Sequence, residues 1–96
     1  MTGVQTCALP ISERIAVRFE RELAGYVRSR VWHRSQQLAD EADGTVCLTL
    51  DVCVDDALVA WVLGFGAGAQ VVAPPHLVQR IAAELDRARA RYHAML

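Results

Sequence analysis

The longest regular pattern of hydrophobic and polar positions in the chain covers residues 44–54, GTVCLTLDVCV. Alternate residues are aliphatic, namely Val46, Leu48, Leu50, Val52 and Val54, and those between them are Thr45, Cys47, Thr49, Asp51 and Cys53. Because successive side chains of a strand point to opposite faces, this alternation predicts a strand with one buried and one solvated face. Asp43-Gly44 before it favours a hairpin turn, and Asp55-Asp56 after it favours the start of a helix.

Shorter patterns predict elements on the N-terminal side of this strand. Residues 13–19 alternate as a strand, and residues 35–41 form a weaker strand that leads into the turn. Between them, residues 20 to about 31 predict a helix whose first turn is acidic. The apolar stripe expected on that helix consists of Leu23, Tyr26, Val27 and Val31.

The C-terminal half predicts a helix, a strand and a long last helix. Asp55 or Asp56 can cap the first helix, and Gly64 or Gly66 can end it. Residues 69–73 are a short strand, and Pro75 fits the first position of the helix that follows. Apolar residues recur at helical spacing in both helices. They are Leu58, Trp61, Val62 and Phe65 in the first, and Leu77, Ile81, Leu85, Ala88 and Tyr92 on one side of the second.

The order of these elements is β-α-β-β-α-β followed by an additional C-terminal helix. This order predicts an α+β domain with the ferredoxin-like split sheet, four antiparallel strands with two helices on one face. Ninety-six residues suffice for one domain. The uncharged residues 57–79 are interrupted by glycines and prolines, so we expect elements of the core there, and no membrane span.

The first eleven residues, MTGVQTCALPI, carry no charge and no periodicity. They resemble the in-frame translation of a sequencing adapter, and they lack the basic start and long apolar segment of a signal peptide. We therefore expect residues 1–12 to be a non-native, disordered segment. Residues 13–96 are then the native domain, a fragment of a longer protein.

Composition and cysteine spacing argue against several kinds of function. The net charge is −1, and the ten basic residues are dispersed arginines, so the chain lacks the basic patch that binds a nucleic-acid backbone. Cys47 and Cys53 lie about 20 Å apart along one strand, too far to share a metal or a disulfide. We expect unpaired cysteines in a reducing cytoplasm, no metal and no other cofactor. A Cys–His nucleophile using His33 or His76 has no local signature, so we expect no enzyme.

The chemically densest segment is RSRVWHRSQ, residues 28–36. A helix end that presents guanidinium, indole and imidazole groups can bind an anionic or planar ligand. In the alternative interpretation, the indole seals the edge of the core and the arginines are solvated. The candidate residues for ligand or interdomain contact are Arg28, Arg30, Trp32, His33 and Gln36.

The same segment is part of a longer pattern, over residues 15–92, that resembles a known family. VRF, VWHRSQ, DG, TVCLTLDV and AWVLGFGAGAQVVAPPHL occur in that order. This succession resembles the WCX-type C-terminal extension of WYL-domain bacterial transcriptional regulators. The spaced residues that carry it are Trp32, His33, Gln36, Gly44, Trp61, Gly66, Pro74 and Leu77.

The resemblance implies a cytoplasmic regulatory and dimerisation domain that couples effector sensing to DNA binding. Its expected partners are its own upstream WYL and helix-turn-helix domains, a second copy in a homodimer, and an effector. DNA is then bound only through the missing upstream domains. The alternative is a free-standing ferredoxin-like module that binds a small ligand, which requires a native start codon near Ser12.

Overall fold

Residues 12–96 are described in a computed structural model of the chain. In sequence order the elements are β1 (Glu13–Phe19), α1 (Arg21–Arg28), β2 (Gln37–Asp40), β3 (Val46–Val52), α2 (Asp56–Leu63), a 3₁₀ turn (Gly66–Gly68), β4 (Ala69–Ala73) and α3 (Pro75–His93). The four strands form one sheet in the order β2-β3-β1-β4, and every neighbouring pair is antiparallel. Within the described residues the predicted α+β class is confirmed, with one four-stranded antiparallel sheet and three helices. The predicted non-native segment falls outside the described residues except for Ser12.

The inner face of the sheet forms the base of the core, as the alternation in β3 predicts. The aliphatic side chains of β3 are at most 1% exposed, while the residues between them are half-buried. In the neighbouring strand β1, Ile15, Val17 and Phe19 are fully buried. The β1–β3 register places Val17 opposite Leu48 and Ile15 opposite Leu50, so both strands direct their apolar residues to the same side.

Helix α1 is shorter than the sequence predicts and buries only part of the expected stripe, since Val27 lies in the core and Leu23 packs against it. It ends at Arg28, and the buried residues are Ala24 and Val27, whereas Tyr26 is 45% and Val31 67% exposed. The predicted boundary near residue 31 is therefore wrong. The physical reason lies in Trp32, whose indole N–H donates to the carbonyl of Val27 at 3.1 Å and so takes an acceptor of the last turn.

Helix α2 begins as predicted, because the carboxylate of Asp55 accepts the backbone N–H of Leu58 at 2.9 Å. Of the two glycines proposed to end it, Gly66 has the left-handed conformation, with φ of 61°, while Gly64 is right-handed. The helix buries Leu58, Val59 and Val62 in the same cluster as α1 and the strands.

Helix α3 begins at Pro75 as predicted but packs on the core only through its N-terminal half. Leu77 and Ile81 are buried, whereas Leu85 is 50% and Tyr92 69% exposed, and Ala88 is exposed as well. The apolar residues that repeat along one side of α3 are thus buried only in its first half. The strand beneath α3 has only five residues, so the helix extends beyond the sheet.

The outer face of the sheet is polar and half-exposed. Ion pairs cross it between strands, with Arg14 bound to Asp51 at 3.2 Å and Arg18 bound to Glu41 at 2.8 Å. Among residues 12–96, each helix is too short or too polar to cross a lipid bilayer.

Candidate functional site

The candidate segment forms the connection between α1 and β2. After α1 ends, the chain turns so that Trp32 reaches back under the helix, where it is 4% exposed. Its ring lies 5.7 Å from that of Tyr26 and 5.6 Å from that of Trp61. The indole thus closes the edge of the core while its N–H is bonded to the helix end, which matches the alternative interpretation of this residue.

One amide side chain determines the conformation of this connection. The Oε1 atom of Gln36 accepts the backbone N–H of Trp32 at 2.5 Å and that of His33 at 3.3 Å. The Nε2 atom of the same side chain donates to the carbonyl of Arg30 at 3.3 Å. The Gln36 side chain therefore supplies hydrogen-bond partners for three backbone groups of the loop.

His33 is 9% exposed and is held by a neighbour that sequence reasoning missed. The backbone N–H of Ser35 donates to Nδ1 of His33 at 3.0 Å, and the Ser35 hydroxyl lies 2.6 Å from the same nitrogen. Because Nδ1 accepts the backbone N–H, the ring carries its proton on Nε2 when neutral. The Ser35 hydroxyl also accepts the N–H of Asp51 at 2.8 Å, which ties the loop to β3. The His-x-Ser spacing was the available sign of this contact.

The two arginines of the candidate set lie at the surface. The Nε atom of Arg28 donates to Asp40 at 2.8 Å, which joins the end of α1 to the end of β2. The guanidinium carbon of Arg30 lies 4.4 Å from the centre of the Tyr26 ring, within reach of a cation–π contact. The Arg30–Tyr26 contact is local, between residues four apart at the end of α1, whereas the Arg28–Asp40 pair joins two elements and depends on the tertiary structure.

The structure thus brings the five candidate residues together along one connection but gives them different roles. Trp32, His33 and Gln36 are engaged inside the domain through the contacts described above. Arg28, which pairs with Asp40, and Arg30, which lies over the Tyr26 ring, are both exposed. The arrangement offers a guanidinium stacked on a half-exposed ring, a surface suited to protein contact more than an enclosed ligand cavity.

Four aromatic rings meet beneath this connection in a cluster that the sequence did not reveal as a unit. Phe65 lies 5.0 Å from Phe19, 5.4 Å from Trp61 and 6.0 Å from Trp32, each in an edge-to-face orientation. The indole N–H of Trp61 is buried and has no hydrogen-bond partner among the described residues. Edge-to-face pairs stabilise such clusters beyond the area they bury, so the cluster fixes the connection on the core.

The outer face of the sheet holds the most perturbed titratable groups. Hydrogen bonds from the Thr45 hydroxyl, and then from Arg18, lower the pKa of Glu41, and the bonds from Thr45 also lower the pKa of Asp43. The bond to Glu41 in turn raises the pKa of Arg18. Burial raises the pKa of the Cys47 thiol, so this cysteine is not an activated nucleophile.

The cysteines differ from one another in state. Cys47 is a free thiol, and Cys53 is disulfide-bonded, so the two are not paired with each other. The expectation that all cysteines are unpaired is wrong for Cys53. Within residues 12–96, no group of three or more His, Cys, Asp or Glu side chains is arranged to hold a metal ion.

Comparison with models of protein families gives a match that covers most of the chain. The family model of the WCX domain matches residues 12–89, which include every strand, α1, α2 and most of α3. No curated protein matches the chain.

Proposed function

The chain belongs to the WCX domain family, and from this premise we propose that it is the C-terminal regulatory and dimerisation domain of a WYL-type helix-turn-helix transcriptional regulator. In this role it couples effector sensing in the WYL domain to DNA binding in the helix-turn-helix domain. The observation that carries the proposal is the extent of the family match, 12–89, which leaves no separate unit in the described chain for another activity.

The geometry of the candidate segment supports a structural and interdomain role. Three of its five candidate residues hold the connection between α1 and β2 in place, and the remaining arginines lie on the surface. The raised pKa of Cys47 argues against this thiol as a nucleophile. The proposal therefore includes that the domain is not an enzyme and binds DNA only through the other domains of the regulator.

The fold proposed for this domain is the ferredoxin-like one. The strand order β2-β3-β1-β4, with antiparallel neighbours throughout, supports it, as do the two helical crossovers α1 and α2. In that arrangement the helices occupy one face, so the polar outer face is available to another domain of the same regulator. A cytoplasmic location follows from the proposed contact with DNA.

The most direct test is to sequence the gene on the 5′ side of the codon for Ser12. We expect one open reading frame that encodes a helix-turn-helix domain and a WYL domain before the present chain. An in-frame stop codon followed by a separate ribosome-binding site would contradict the proposal and favour a free-standing module.

A binding measurement tests whether this domain itself contacts DNA. The purified 96-residue chain, titrated against a fluorescein-labelled duplex of random sequence at low and at physiological salt, should give no saturable change in anisotropy. Saturable binding that weakens steeply with salt would show phosphate contacts by this domain itself and would contradict the proposal.

A further inference from the structure

Helix α3 extends well beyond the sheet on which it packs. With 19 residues it is about 28 Å long at 1.5 Å per residue, whereas the five residues of β4 span about 17 Å. Leu77 and Ile81 anchor its first half in the core. Every residue from Leu85 to the C-terminus is exposed.

The projecting half of α3 is nevertheless apolar on one side. Leu85, Ala88 and Tyr92 continue the helical spacing of the buried anchors, and Met95 and Leu96 after the helix are 80% and 98% exposed. An apolar stripe of this kind is normally buried against another element. The projecting half therefore presents a surface that lacks cover within the described part of the chain.

A second apolar surface lies along the first half of the same helix and ends at Leu85. A groove of about 180 Å³ runs between α3 and β4 and is lined by Ala69, Gln70, Val71, Val78, Ile81, Ala82 and Leu85. Charged side chains are absent from this lining, and Val78 is 37% exposed within it. Strand β4 is an edge strand of the sheet, so the groove is open on that side.

We propose that a second copy of this chain covers both surfaces through antiparallel pairing of the two α3 helices. The projecting end of each helix lies in the groove of the other copy. This inference rests on the proposed dimerisation function and specifies the surface that performs it. Because the groove is at the N-terminal half of α3 and the projection at its C-terminal half, only an antiparallel arrangement joins the two in both directions.

The spacing of the apolar residues fits that arrangement. When Leu85 of one copy lies opposite Ala88 of the other, Ile81 comes to lie opposite Tyr92 and Val78 opposite Met95. The two-fold axis lies midway between Leu85 and Ala88, and it generates each of these three residue pairs a second time. An isologous interface of this kind buries identical patches on both copies and closes without leaving a free end.

Charge complementarity supports a second copy as the occupant. In the same register Glu84 of one copy lies beside Arg91 of the other, and the symmetry produces this pair twice. Within one chain Glu84 pairs with Arg87 at 3.1 Å, with side chains 43% and 77% exposed, and Arg91 is exposed in the last turn. Charged residues that flank an apolar helix seam set the orientation of the partner.

Sedimentation velocity on the 96-residue chain over a micromolar concentration series tests the proposal. We expect a reversible dimer for the natural sequence. Leu85→Asp should weaken dimerisation by about 100-fold or more, because it buries two carboxylates, one from each copy, near the two-fold axis of the interface. Circular dichroism should show that the variant stays folded, since Leu85 is half-exposed within one copy.

A charge exchange identifies the register. Glu84→Arg and Arg91→Glu should each weaken the dimer by about tenfold, since exposed pairs contribute about 0.2–1 kcal/mol and each change affects two of them. The double variant E84R/R91E should recover the affinity. Asp86→Arg, which makes the same change of charge on the far side of the helix, is the matched control and should leave the dimer unchanged.

The outcomes separate the interface from dimerisation itself. A dimer that is insensitive to Leu85→Asp and to the charge exchange would overturn this interface and leave the proposed dimerisation standing. A chain that is monomeric at every concentration would overturn both, and would indicate that another domain of the regulator covers α3.

Discussion

Replacing Gln36 by Leu should destabilise the domain by about 2 kcal/mol, because one amide side chain organises the whole connection between α1 and β2. Its oxygen accepts the backbone N–H groups of Trp32 and His33, and its nitrogen donates to the carbonyl of Arg30. Leucine has a similar size. The substitution therefore removes the hydrogen bonds while it keeps most of the volume of the side chain.

The magnitude follows from the geometry of the three bonds. The bond to Trp32 is short at 2.5 Å, and the other two are long at 3.3 Å. A net hydrogen bond contributes about 0.5–1.5 kcal/mol, and a buried N–H left without a partner costs about 1–3 kcal/mol. Since Trp32 and His33 are 4% and 9% exposed, water replaces these partners poorly. A loss of about 2 kcal/mol corresponds to a fall in Tm of about 8–16 °C for a domain of this size.

Urea denaturation followed by tryptophan fluorescence measures the effect. Gln37→Leu makes the same chemical change at the next residue, whose side chain is exposed at the edge of β2, and should change stability little. Gln36→Glu keeps the acceptor oxygens but loses the donor to Arg30, so its midpoint should lie between those of the natural protein and Gln36→Leu. Equal midpoints for Gln36→Leu and Gln37→Leu would refute this account of the loop.

Three further predictions follow from local geometry. Gly44 has φ of 89° and lies against the side chain of Arg21, so Gly44→Ala should cost at least about 1–2 kcal/mol in thermal denaturation. Gly25 lies on the exposed side of α1 with open space around it, so Gly25→Ala should instead raise the free energy of unfolding by about 0.5–1 kcal/mol. A change of stability with the same sign for both glycine variants would contradict this contrast. Asp55→Ala should lower the free energy of unfolding in urea by about 1 kcal/mol, and Asp55→Asn should lower it much less. The reason is that asparagine, like aspartate, has a side-chain oxygen that can accept the N–H of Leu58. Equal losses for the two variants would exclude the cap. Because the pKa values of Glu41 and Asp43 are lowered in the folded domain, the stability they contribute is complete only above the pKa values of the unfolded chain, about 4.5 and 3.8, and is lost as the pH falls through the lowered values. Thr45→Val should therefore destabilise the domain more at pH 6 than at pH 3, whereas equal losses at both pH values would exclude the linkage.

The proposed roles of α3 and of the outer sheet face concern different partners. The outer face carries ion pairs and a perturbed carboxylate, which suits a hydrophilic contact with another domain. One side of the projecting half of α3 is apolar and suits contact with a second copy. A regulator that uses both surfaces can dimerise through one and respond to its sensor domain through the other.

The sequence placed the candidate residues on one segment, but it did not show what each side chain contacts. Residue type alone indicated that guanidinium, indole, imidazole and amide groups lie close together on residues 28–36. Whether an amide points at solvent or at backbone N–H groups depends on how the loop turns. That turn is set by Trp32, whose position under α1 requires the complete core.

The sequence by itself determined the elements whose pattern is local. The alternation of β3, the hairpin glycine at 44, the Asp55 cap and Pro75 at the start of α3 each depend on neighbours within a few residues, and all are present in the structure. Only the tertiary structure decided where α1 ends and how much of α3 is buried. Helical periodicity records which side of a helix is apolar, but it carries no information about the length of the sheet beneath it. The stripe of α3 therefore continues beyond its own core, where the interface we propose begins.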